Sequence, residues 1–503
     1  MMKKNQILTL HLKHIRLPLD NRFEKQIQFL IQKSLEVHKL KYKKQEKIVE
    51  GFNNTARAII EGLYQVYGTR NENCGLGLPT SKGGYGEKSH QINDHSHTVV
   101  IRIIEALELL GWAERRRGFK NKEGKNFPTS FRAIGELLDI FEKSKFVWRE
   151  MGPIKTDVIV LKGYDKETRA KEIISFKDNN QIRKWRKNLQ TYNHFLTQNA
   201  ICLNRDNFHI DALVRKMSDQ SYQVDWMFGE KKKKPRIFNF LHVQLRRIFA
   251  RGRFDCGGRF YGGWWQFIPS EHRRYITING LPTIEADYSE LHPRLMYLNA
   301  GLEFPDGDLY DIGLRYDGIE YNKDVEPYKT SRPIIKTFIN ATINDDRGKF
   351  KLHGTDYKKL KMSPAELENL VVKRHPIIKD IKGKGLGLQF QFIDSQIAEK
   401  VMIEMMNRGR ICLPVHDSFI CQEEYEEELR QLMHDSYLEI IEDIPKIKES
   451  ERAKVDFEQP FYPNGTMDLT YTKNYYKDDT QTQFLSAFLE FQQRKQSQIA
   501  LRG

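Results

Sequence analysis

The chain has 503 residues, of which 39% are hydrophobic and 11% aromatic, a composition that excludes global disorder and suits about two to four folded domains. Lysine and arginine (82) outnumber aspartate and glutamate (67), and the formal net charge of +15 favours a polyanionic partner such as nucleic acid. The sequence lacks a long apolar run and a signal-peptide core, so we expect a cytoplasmic protein with no membrane partner.

Residues 1–150 are predicted to form a mainly helical DNA-binding region. Apolar residues recur with helical spacing over 22–67, and a glycine-rich stretch at 75–86 is typical of a loop. An amphipathic helix at 97–110 is expected to end at Gly111, followed by a strand at 112–117 and a charged turn at 121–126. This order resembles the winged helix of plasmid replication initiators, which would bind origin duplex DNA. An ordinary helix and hairpin is the alternative.

Residues 151–250 are predicted to be a basic region that is thumb-like or connecting. Helices are expected over 182–196 and 238–249. The run Lys231–Lys234 precedes several arginines between 246 and 253, which favours contact with phosphates over an ordinary solvated face. At the other end of the chain, the polar tail 476–503 is predicted to be a peripheral helix or a frayed end.

Residues 251–475 alternate strand-like and helix-like segments, which predicts an α+β fold. Asp287 follows a strand-like run at 283–286 and precedes a helical segment at 291–298. Asp417 lies at the turn of a predicted hairpin spanning 411–420. Phosphoryl transfer needs two metal ions held by carboxylates, so these two aspartates are candidate metal ligands.

A third segment carries polar residues at helical spacing. Arg332, Lys336, Asn340 and Asn344 recur every four residues and therefore lie on one helix face, where the two cations are suited to a triphosphate. Ser331 is expected to cap this helix, with proline in its first turn. Each signal alone is typical of a turn or a solvated helix face. Their order along the chain favours one shared site.

The ordered set resembles the palm and fingers of family A DNA polymerases, the DNA polymerase I-like group. The matching residues are Gly258-Arg259, Gln266-Phe267-Ile268-Pro269, Arg274, Ala286-Asp287-Tyr288-Ser289, Arg294, Arg332, Lys336, Gln391 and Val415-His416-Asp417. The likeness spans roughly residues 250–435. Asp287 follows Arg259 by 28 residues, a compact spacing that is similar to that of the DNA polymerases.

The resemblance implies a right-hand polymerase with palm, fingers and thumb, which extends a DNA primer on a template from dNTPs by two-metal catalysis. It implies a role for each matching residue: Asp287, Asp417 and the Tyr288 carbonyl for two Mg²⁺ ions (with Mn²⁺ as a substitute), Lys336 and Arg332 for the triphosphate, Arg259, Gln266 and Gln391 for the primer–template, and His416 for the primer terminus. The expected partners are primer–template DNA and dNTPs.

Several residues depart from the family pattern. Ser418 follows the hairpin aspartate where the family has Glu, and Asn340 and Asn344 replace an aromatic residue and a tyrosine. Stacking on the nascent base pair must then come from elsewhere. His292 stands five residues after the first aspartate, where DNA polymerases have Glu and RNA polymerases a small residue. We expect His292 to crowd a 2′-hydroxyl and favour dNTPs.

The interval from Lys336 to Asp417 is 81 residues, which is short for the family and predicts reduced fingers. A polymerase with an N-terminal DNA-binding region would suit replication of a plasmid, phage or other mobile element. A single-subunit RNA polymerase or primase-like enzyme is one alternative, because the His-Asp-Ser sequence and residues 255–261 also resemble that group. A replication-initiator-like DNA-binding protein, with its palm kept as a scaffold, is another.

Overall fold

The computed structural model describes residues 8–11, 23–38, 46–69, 74–78, 80, 95–120, 126–127, 129–143, 157–164, 171–205, 207–219, 222–224, 231–233, 240, 242–316, 318–448 and 451–452. Helices and strands are mixed along the whole of this part, which confirms the α+β class. Within it, no helix is both long enough and apolar enough to cross a membrane.

The N-terminal region combines helices with a small sheet. In chain order its elements are β1 (Leu8–His11), α1 (Glu24–Val37), α2 (Glu46–Gly68), β2 (Cys74–Gly77), α3 (His97–Leu109), β3 (Ala113–Arg116), β4 (Phe119–Lys120), β5 (Asn126–Phe127), β6 (Ser130–Ala133) and α4 (Gly135–Lys143). The sheet has the order β1-β2-β6-β3, and α1, α2 and α3 pack together. The predicted α3 is confirmed, and Gly111 follows it with φ +65°. Most of the charged turn at 121–126 lies outside the described residues.

The loop expected at 75–86 is wrong at its start, because residues 74–77 form the buried strand β2. Gly75 shows why glycine occurs there. A Cβ at this position would lie 2.7 Å from the hydroxyl of Ser130 on the neighbouring strand β6. The glycine therefore allows close approach of two strands, and it does not mark a turn.

The middle of the chain supplies β7 (Ile159–Tyr164), β8 (Lys171–Ile173), α5 (Asn180–Thr197), β9 (Ile201–Leu203), α6 (Asn207–Asp219), β10 (Tyr222–Val224), β11 (Lys231–Lys233) and β12 (Arg246–Ala250). The helix predicted at 182–196 is confirmed by α5. The helix predicted at 238–249 is wrong, because its end belongs to the strand β12. Arg247 and Phe249 are both buried between more exposed neighbours, and this period of two is that of a strand.

The C-terminal part contains β13 (Arg253–Tyr261), α7 (Ser270–Arg273), β14 (Ile276–Ile278), β15 (Leu281–Asp287), α8 (Leu291–Leu298), α9 (Tyr328–Asn344), α10 (Gly354–Leu360), α11 (Pro364–Arg374), α12 (Ile378–Ile381), α13 (Gly387–Asn407), β16 (Cys412–Val415), β17 (Ser418–Gln422), α14 (Glu426–Ile441) and β18 (Glu451–Arg452). The strand and helix predicted around Asp287 and the hairpin predicted around Asp417 are confirmed.

Two sheets connect this part to the middle of the chain. One has the order β16-β17-β15-β14-β9, with β18 also paired to β15, and the other has the order β13-β12-β7-β8. Strands from residues 151–250 therefore pair with strands beyond residue 250 in both sheets. Helix α13 packs on β13, α14 and β16, and β16 belongs to the same sheet as β15 and β17.

The cap predicted for α9 is wrong. The helix begins at Tyr328, and the hydroxyl of Ser331 donates to the Tyr328 carbonyl from inside the first turn. Pro333 consequently lies in the interior of the helix. Thr337 donates its hydroxyl to the Pro333 carbonyl, which is a side-chain bond common in helices. The start of α9 thus lies one turn earlier than the serine signal indicates.

A buried histidine joins α11 to the loop before α9. His375 is fully buried, its Nε2 lies 2.7 Å from the Leu309 carbonyl, and its Nδ1 lies 2.8 Å from the Tyr297 hydroxyl. An Nε2–H that donates to the carbonyl and an Nδ1 that accepts from the tyrosine satisfy both ring nitrogens. Burial lowers the pKa of His375 to about 4, so the ring is neutral at pH 7.

His375 should make the stability of the protein fall in weak acid. The unfolded chain takes up the proton near its ordinary pKa of about 6.5, and the folded chain only near 4, so protonation favours unfolding between these values. The free energy of unfolding should decrease by about 3 kcal/mol from pH 7 to pH 4 through this group. Urea unfolding of His375→Gln should show a weaker pH dependence, and an unchanged dependence would contradict the assignment. The exposed His353→Gln is the control.

Candidate active site

Asp287 and Asp417 lie next to each other at the ends of paired strands. Strand β15 runs antiparallel to β17, and the pairing places Asp287 opposite Ser418. The Tyr288 amide donates to the Asp417 carbonyl at 3.3 Å, which fixes the hairpin turn against the end of β15. Since N–H and C=O of one extended residue point to the same side, we expect the Tyr288 carbonyl on the Asp417 side too. The sequence-predicted pair is therefore brought together.

The two carboxylates differ in ionisation. Burial and the nearby charge of Asp417 raise the pKa of Asp287 to about 6, against the opposing effect of Lys448. Burial also acts to raise the pKa of Asp417, but Arg259 and His292 outweigh it, and the pKa lies below its ordinary value. Two acidic groups in one partly buried place thus need cations around them.

Arg259 and His292, which lie near Asp417, belong to a largely buried cluster with Asp394, a residue that the sequence analysis did not identify. Arg259 on β13 donates from Nε to both carboxylate oxygens of Asp394, at 3.0 and 2.9 Å, and also from Nη2. His292 Nε2 lies 3.0 Å from Asp394 and 3.1 Å from Arg259. That nitrogen can donate to Asp394 or accept from Arg259, but not both at once. Asp394, only 1% exposed, holds both predicted site residues in place.

The hairpin turn itself adopts an unusual backbone conformation. His416 has φ +62°, which is rare for a residue with a side chain, and its ring packs edge-on against Tyr261 at 5.3 Å. Burial, followed by the charge of Arg259, lowers the pKa of His416 to about 4, so the ring is neutral. Its Nδ1 is buried and has no hydrogen-bond partner in the described part of the chain.

Gln266 ties the hairpin to β13. Its amide Nε2 donates to the carbonyls of Phe260 and Pro414, both at 2.9 Å, while its oxygen accepts from the Gly262 amide at 3.0 Å. The indole of Trp265 also donates to Pro414. The predicted DNA contact of Gln266 stays a prediction, since the structure shows its amide bound to backbone groups.

The two cations on the face of α9, Arg332 and Lys336, differ in their contacts with carboxylates. Arg332 pairs with Asp308 at 2.5 and 3.1 Å and lies 3.8 Å from Glu290, so its guanidinium is neutralised by carboxylates. Lys336 is exposed and 5.8 Å from the ring centre of Tyr310, and it makes no ion pair within the described residues. Its charge nevertheless acts on Asp287, where it lowers the pKa. Lys336 is thus the better placed of the two predicted triphosphate ligands.

The two asparagines of this face have different surroundings. Asn340 donates to the phenol oxygen of Tyr310 at 3.3 Å, while Asn344 donates to the Asn340 carbonyl at 2.7 Å. Asn344 also lies against Gly387, where a Cβ would come within 2.0 Å of its side chain. Tyr310 is buried against the guanidinium of Arg332, so an aromatic ring does accompany this face, but it comes from a loop.

Ser418 contacts a carboxylate on the neighbouring strand. Its hydroxyl donates to Glu285 at 2.7 Å, and Glu285 is also bound by Arg273 through two bonds of 2.7 and 2.8 Å. Arg273 therefore neutralises Glu285, which lies two residues before Asp287 on the same strand. Gln391 is half-buried on α13, one turn before Asp394.

The segment after α14 runs along the side of β15 that faces away from β17. Lys448 donates its backbone N–H to the Asp287 carbonyl at 3.0 Å, and its ammonium contacts the Asp287 carboxylate. The contact between the Lys448 ammonium and the Asp287 carboxylate indicates that a positive charge is favourable next to Asp287. Neither Lys448 nor Asp394 belongs to the matching motifs. Asp394 could have been suspected from its position three residues after Gln391 on a helical segment, whereas no sequence pattern indicates Lys448.

The donor set fits some metal ions better than others. Within the described residues, no group of three or more His, Cys, Asp or Glu side chains is arranged to hold a metal ion, which does not suit a four-ligand zinc site. Two adjacent aspartates with a backbone carbonyl suit Mg²⁺, which keeps several water ligands and takes only one or two carboxylates. The ammonium of Lys448 at Asp287 is consistent with a place for a cation.

Comparisons with known proteins assign neither a family nor a function to this chain. No family model and no curated protein matches the sequence. The solved structure of the POL domain of Pol1 from M. smegmatis, in complex with DNA primer-template and dNTP, is similar to this chain with a TM-score of 0.30 and 12% identity, over 88% of this chain and 68% of that chain. At this degree of similarity the match carries no weight for the function, which must be inferred from the residues of this chain.

Asp394→Asn should destabilise the fold strongly. Loss of the negative charge would leave the largely buried guanidinium of Arg259 without its ion-pair partner, at a cost of about 3–5 kcal/mol in the free energy of unfolding. Urea unfolding measures this. The control is Asp255→Asn, whose partner Arg253 is more than half exposed, and which should cost less than about 1 kcal/mol. Equal losses in the two variants would contradict the role of Asp394.

Proposed function

We propose that this chain is a template-directed DNA polymerase that transfers nucleotides from dNTPs to the 3′-hydroxyl of a DNA primer. The supporting observation is the pairing of β15 with β17, which brings Asp287 and Asp417 side by side. The exposed cation Lys336 on α9 acts electrostatically on the same place. The order of these residues in the family A resemblance supports the same conclusion.

Each residue of the site has a part in the proposed reaction. Asp287 and Asp417, with the Tyr288 carbonyl, would hold two Mg²⁺ ions or, as a substitute, Mn²⁺. When bound, such ions stabilise the negative charge on the attacking and leaving oxygens. Lys336 would bind the triphosphate and so keep the nucleotide in line with the primer terminus. His416, neutral and held at the hairpin turn, would contact the primer end.

Arg332 needs a change of partner to take its proposed part. Asp308 and Glu290 hold its guanidinium, so a triphosphate must replace at least one of these carboxylates. Arg259 is likewise bound to Asp394, but it remains 14% exposed and can present its outer edge to the primer–template. We infer that Arg259 positions the primer near Asp417, together with Gln266 and Gln391. A DNA-binding N-terminal region would suit an enzyme that replicates a plasmid, phage or other mobile element.

The proposal is tested by extension of a labelled DNA primer on a DNA template with Mg²⁺ and either dNTPs or rNTPs. We expect template-matched extension with dNTPs, and a loss of about 10³-fold or more in Asp287→Asn and Asp417→Asn, because each substitution removes a metal ligand. The control is Asp311→Asn, an aspartate paired with Arg315 outside the site. DNA affinity should stay within about threefold in all variants, since no phosphate-binding cation is removed.

Other outcomes of this assay select the alternatives. Extension with rNTPs would favour the RNA polymerase or primase-like reading, which the Ser418 position supports. Tight DNA binding without extension by either nucleotide class would favour the replication-initiator-like reading. Equal activity of the wild type and both aspartate variants would contradict the proposed site.

His292 should act as the gate against ribonucleotides. Its ring lies in the cluster with Arg259 and Asp394 and is 11% exposed, so it can meet the sugar of a nucleotide held beside Asp417. His292→Gly would open this space and should raise the ratio of kcat/KM for rNTPs to that for dNTPs by about tenfold. Single-nucleotide extension measures the ratio, with His434→Gly, a half-exposed histidine on α14, as control. An unchanged ratio in His292→Gly would contradict the gate.

A further inference from the structure

The segment 446–448, which we call the strap, is held on the end of β15 by its backbone. The Ser289 amide donates to the Lys446 carbonyl at 2.6 Å, and the Lys448 amide donates to the Asp287 carbonyl at 3.0 Å. Tyr288 pairs with Ile447 between these two bonds. The position of the Lys448 backbone is therefore fixed by the same strand that carries Asp287.

A further contact fixes the strap from the other side. Arg430 on α14 donates from Nη1 to the Lys448 carbonyl at 2.7 Å. With both its N–H and its carbonyl bound, Lys448 can change the direction of its side chain without moving its backbone. The side chain is 39% exposed, and a lysine has a flexible four-carbon stem, so the ammonium can leave Asp287 for solvent or for another anion.

The two lysines of the strap contact different carboxylates. Lys448 pairs with Asp287, whereas Lys446 lies 3.3 Å from Glu290, which has no place in the proposed metal site. The structure thus offers two cations on one short segment, of which one faces the metal-binding pair and the other does not. Loss of the charge of Lys448 should change the affinity for a metal ion at Asp287, whereas loss of the charge of Lys446 should not.

We propose that Lys448 is a resident counter-ion of the metal site, and that a divalent ion must displace its ammonium from Asp287 in order to bind. This inference rests on the proposed function, since it deepens the description of that site. In the chain without substrate, the ammonium satisfies Asp287 and weakens metal binding. An arriving triphosphate brings several negative charges, which give the ammonium a new partner and favour the exchange. Metal loading would thereby be coupled to nucleotide arrival.

The test measures Mn²⁺ binding to the full chain by electron paramagnetic resonance, without DNA or nucleotide. Lys448→Met keeps the aliphatic stem and removes the charge, and should bind Mn²⁺ about three- to tenfold more tightly than the wild type. Lys446→Met removes a charge from the same strap and should bind Mn²⁺ as the wild type does. Lys448→Arg keeps the charge and should also behave as the wild type. Asp287→Asn should lose the binding.

Several results would overturn the inference. An affinity of Lys448→Met that is unchanged or weaker would do so, because the ammonium would then not compete with the ion. An equal gain in Lys446→Met would also do so, since any loss of positive charge would then suffice. Absence of Mn²⁺ binding in every variant would show that the site holds no ion to be displaced. Circular dichroism of each variant establishes that it is folded.

The outcome is separable from that of the polymerase proposal, because Mn²⁺ binding is measured without any reaction. The expected Mn²⁺ pattern without primer extension would contradict the polymerase proposal alone. Primer extension that depends on Asp287, with an unchanged affinity in Lys448→Met, would contradict the counter-ion role alone.

Discussion

The close approach of two aspartates is the constraint on which the rest of this site depends. Asp287 and Asp417 carry like charges in a partly buried place, and such an arrangement is costly unless cations or metal ions offset it. The chain surrounds the pair accordingly. Arg259 and His292 act on Asp417, and Lys448 and Lys336 act on Asp287. Divalent ions in the proposed metal site would offset the same two negative charges.

The register between β15 and β17 keeps the two aspartates close together. A slip of one residue between β15 and β17 would turn Asp287 to the other face of the sheet, since side chains alternate along a strand. Gln266 and Trp265 hold the Pro414 carbonyl, and the Tyr288 amide holds the turn, so the hairpin has little freedom to slip. The left-handed conformation of His416 closes the turn in the same place. Backbone bonds thus set the positions at which the charged side chains meet.

The sequence predicts the parts of the site that depend on local pattern. The strand before Asp287 and the hairpin around Asp417 follow from short strand-like and apolar runs, and the shared face of Arg332 and Lys336 follows from a spacing of four residues. The structure contains each of these elements. Predictions from local pattern were wrong where a segment is compatible with more than one conformation or helix start. The run that ends at Phe249 is apolar enough for a helix, but strand pairing decides its conformation. Ser331 resembles a helix cap, but an earlier turn extends α9.

Partner residues from distant parts of the chain could not be predicted in this way. Asp394 lies 135 positions from Arg259, and Lys448 lies 161 positions from Asp287, so no spacing rule connects them. The engagement of Arg332 by Asp308 is of the same kind, because a fold is needed to bring the loop before α9 against the helix face. The resemblance to a polymerase family names residues that would meet the substrate. It does not name those that hold them in the absence of substrate.

The most direct test of the two-aspartate site is a crystal structure of the chain with a primer–template, a non-hydrolysable dNTP analogue and Mn²⁺, with anomalous scattering from manganese. The account predicts two manganese peaks about 4 Å apart between Asp287 and Asp417, with the triphosphate beside Lys336. Manganese bound elsewhere in the chain, with both aspartates left without an ion in the presence of nucleotide, would contradict it.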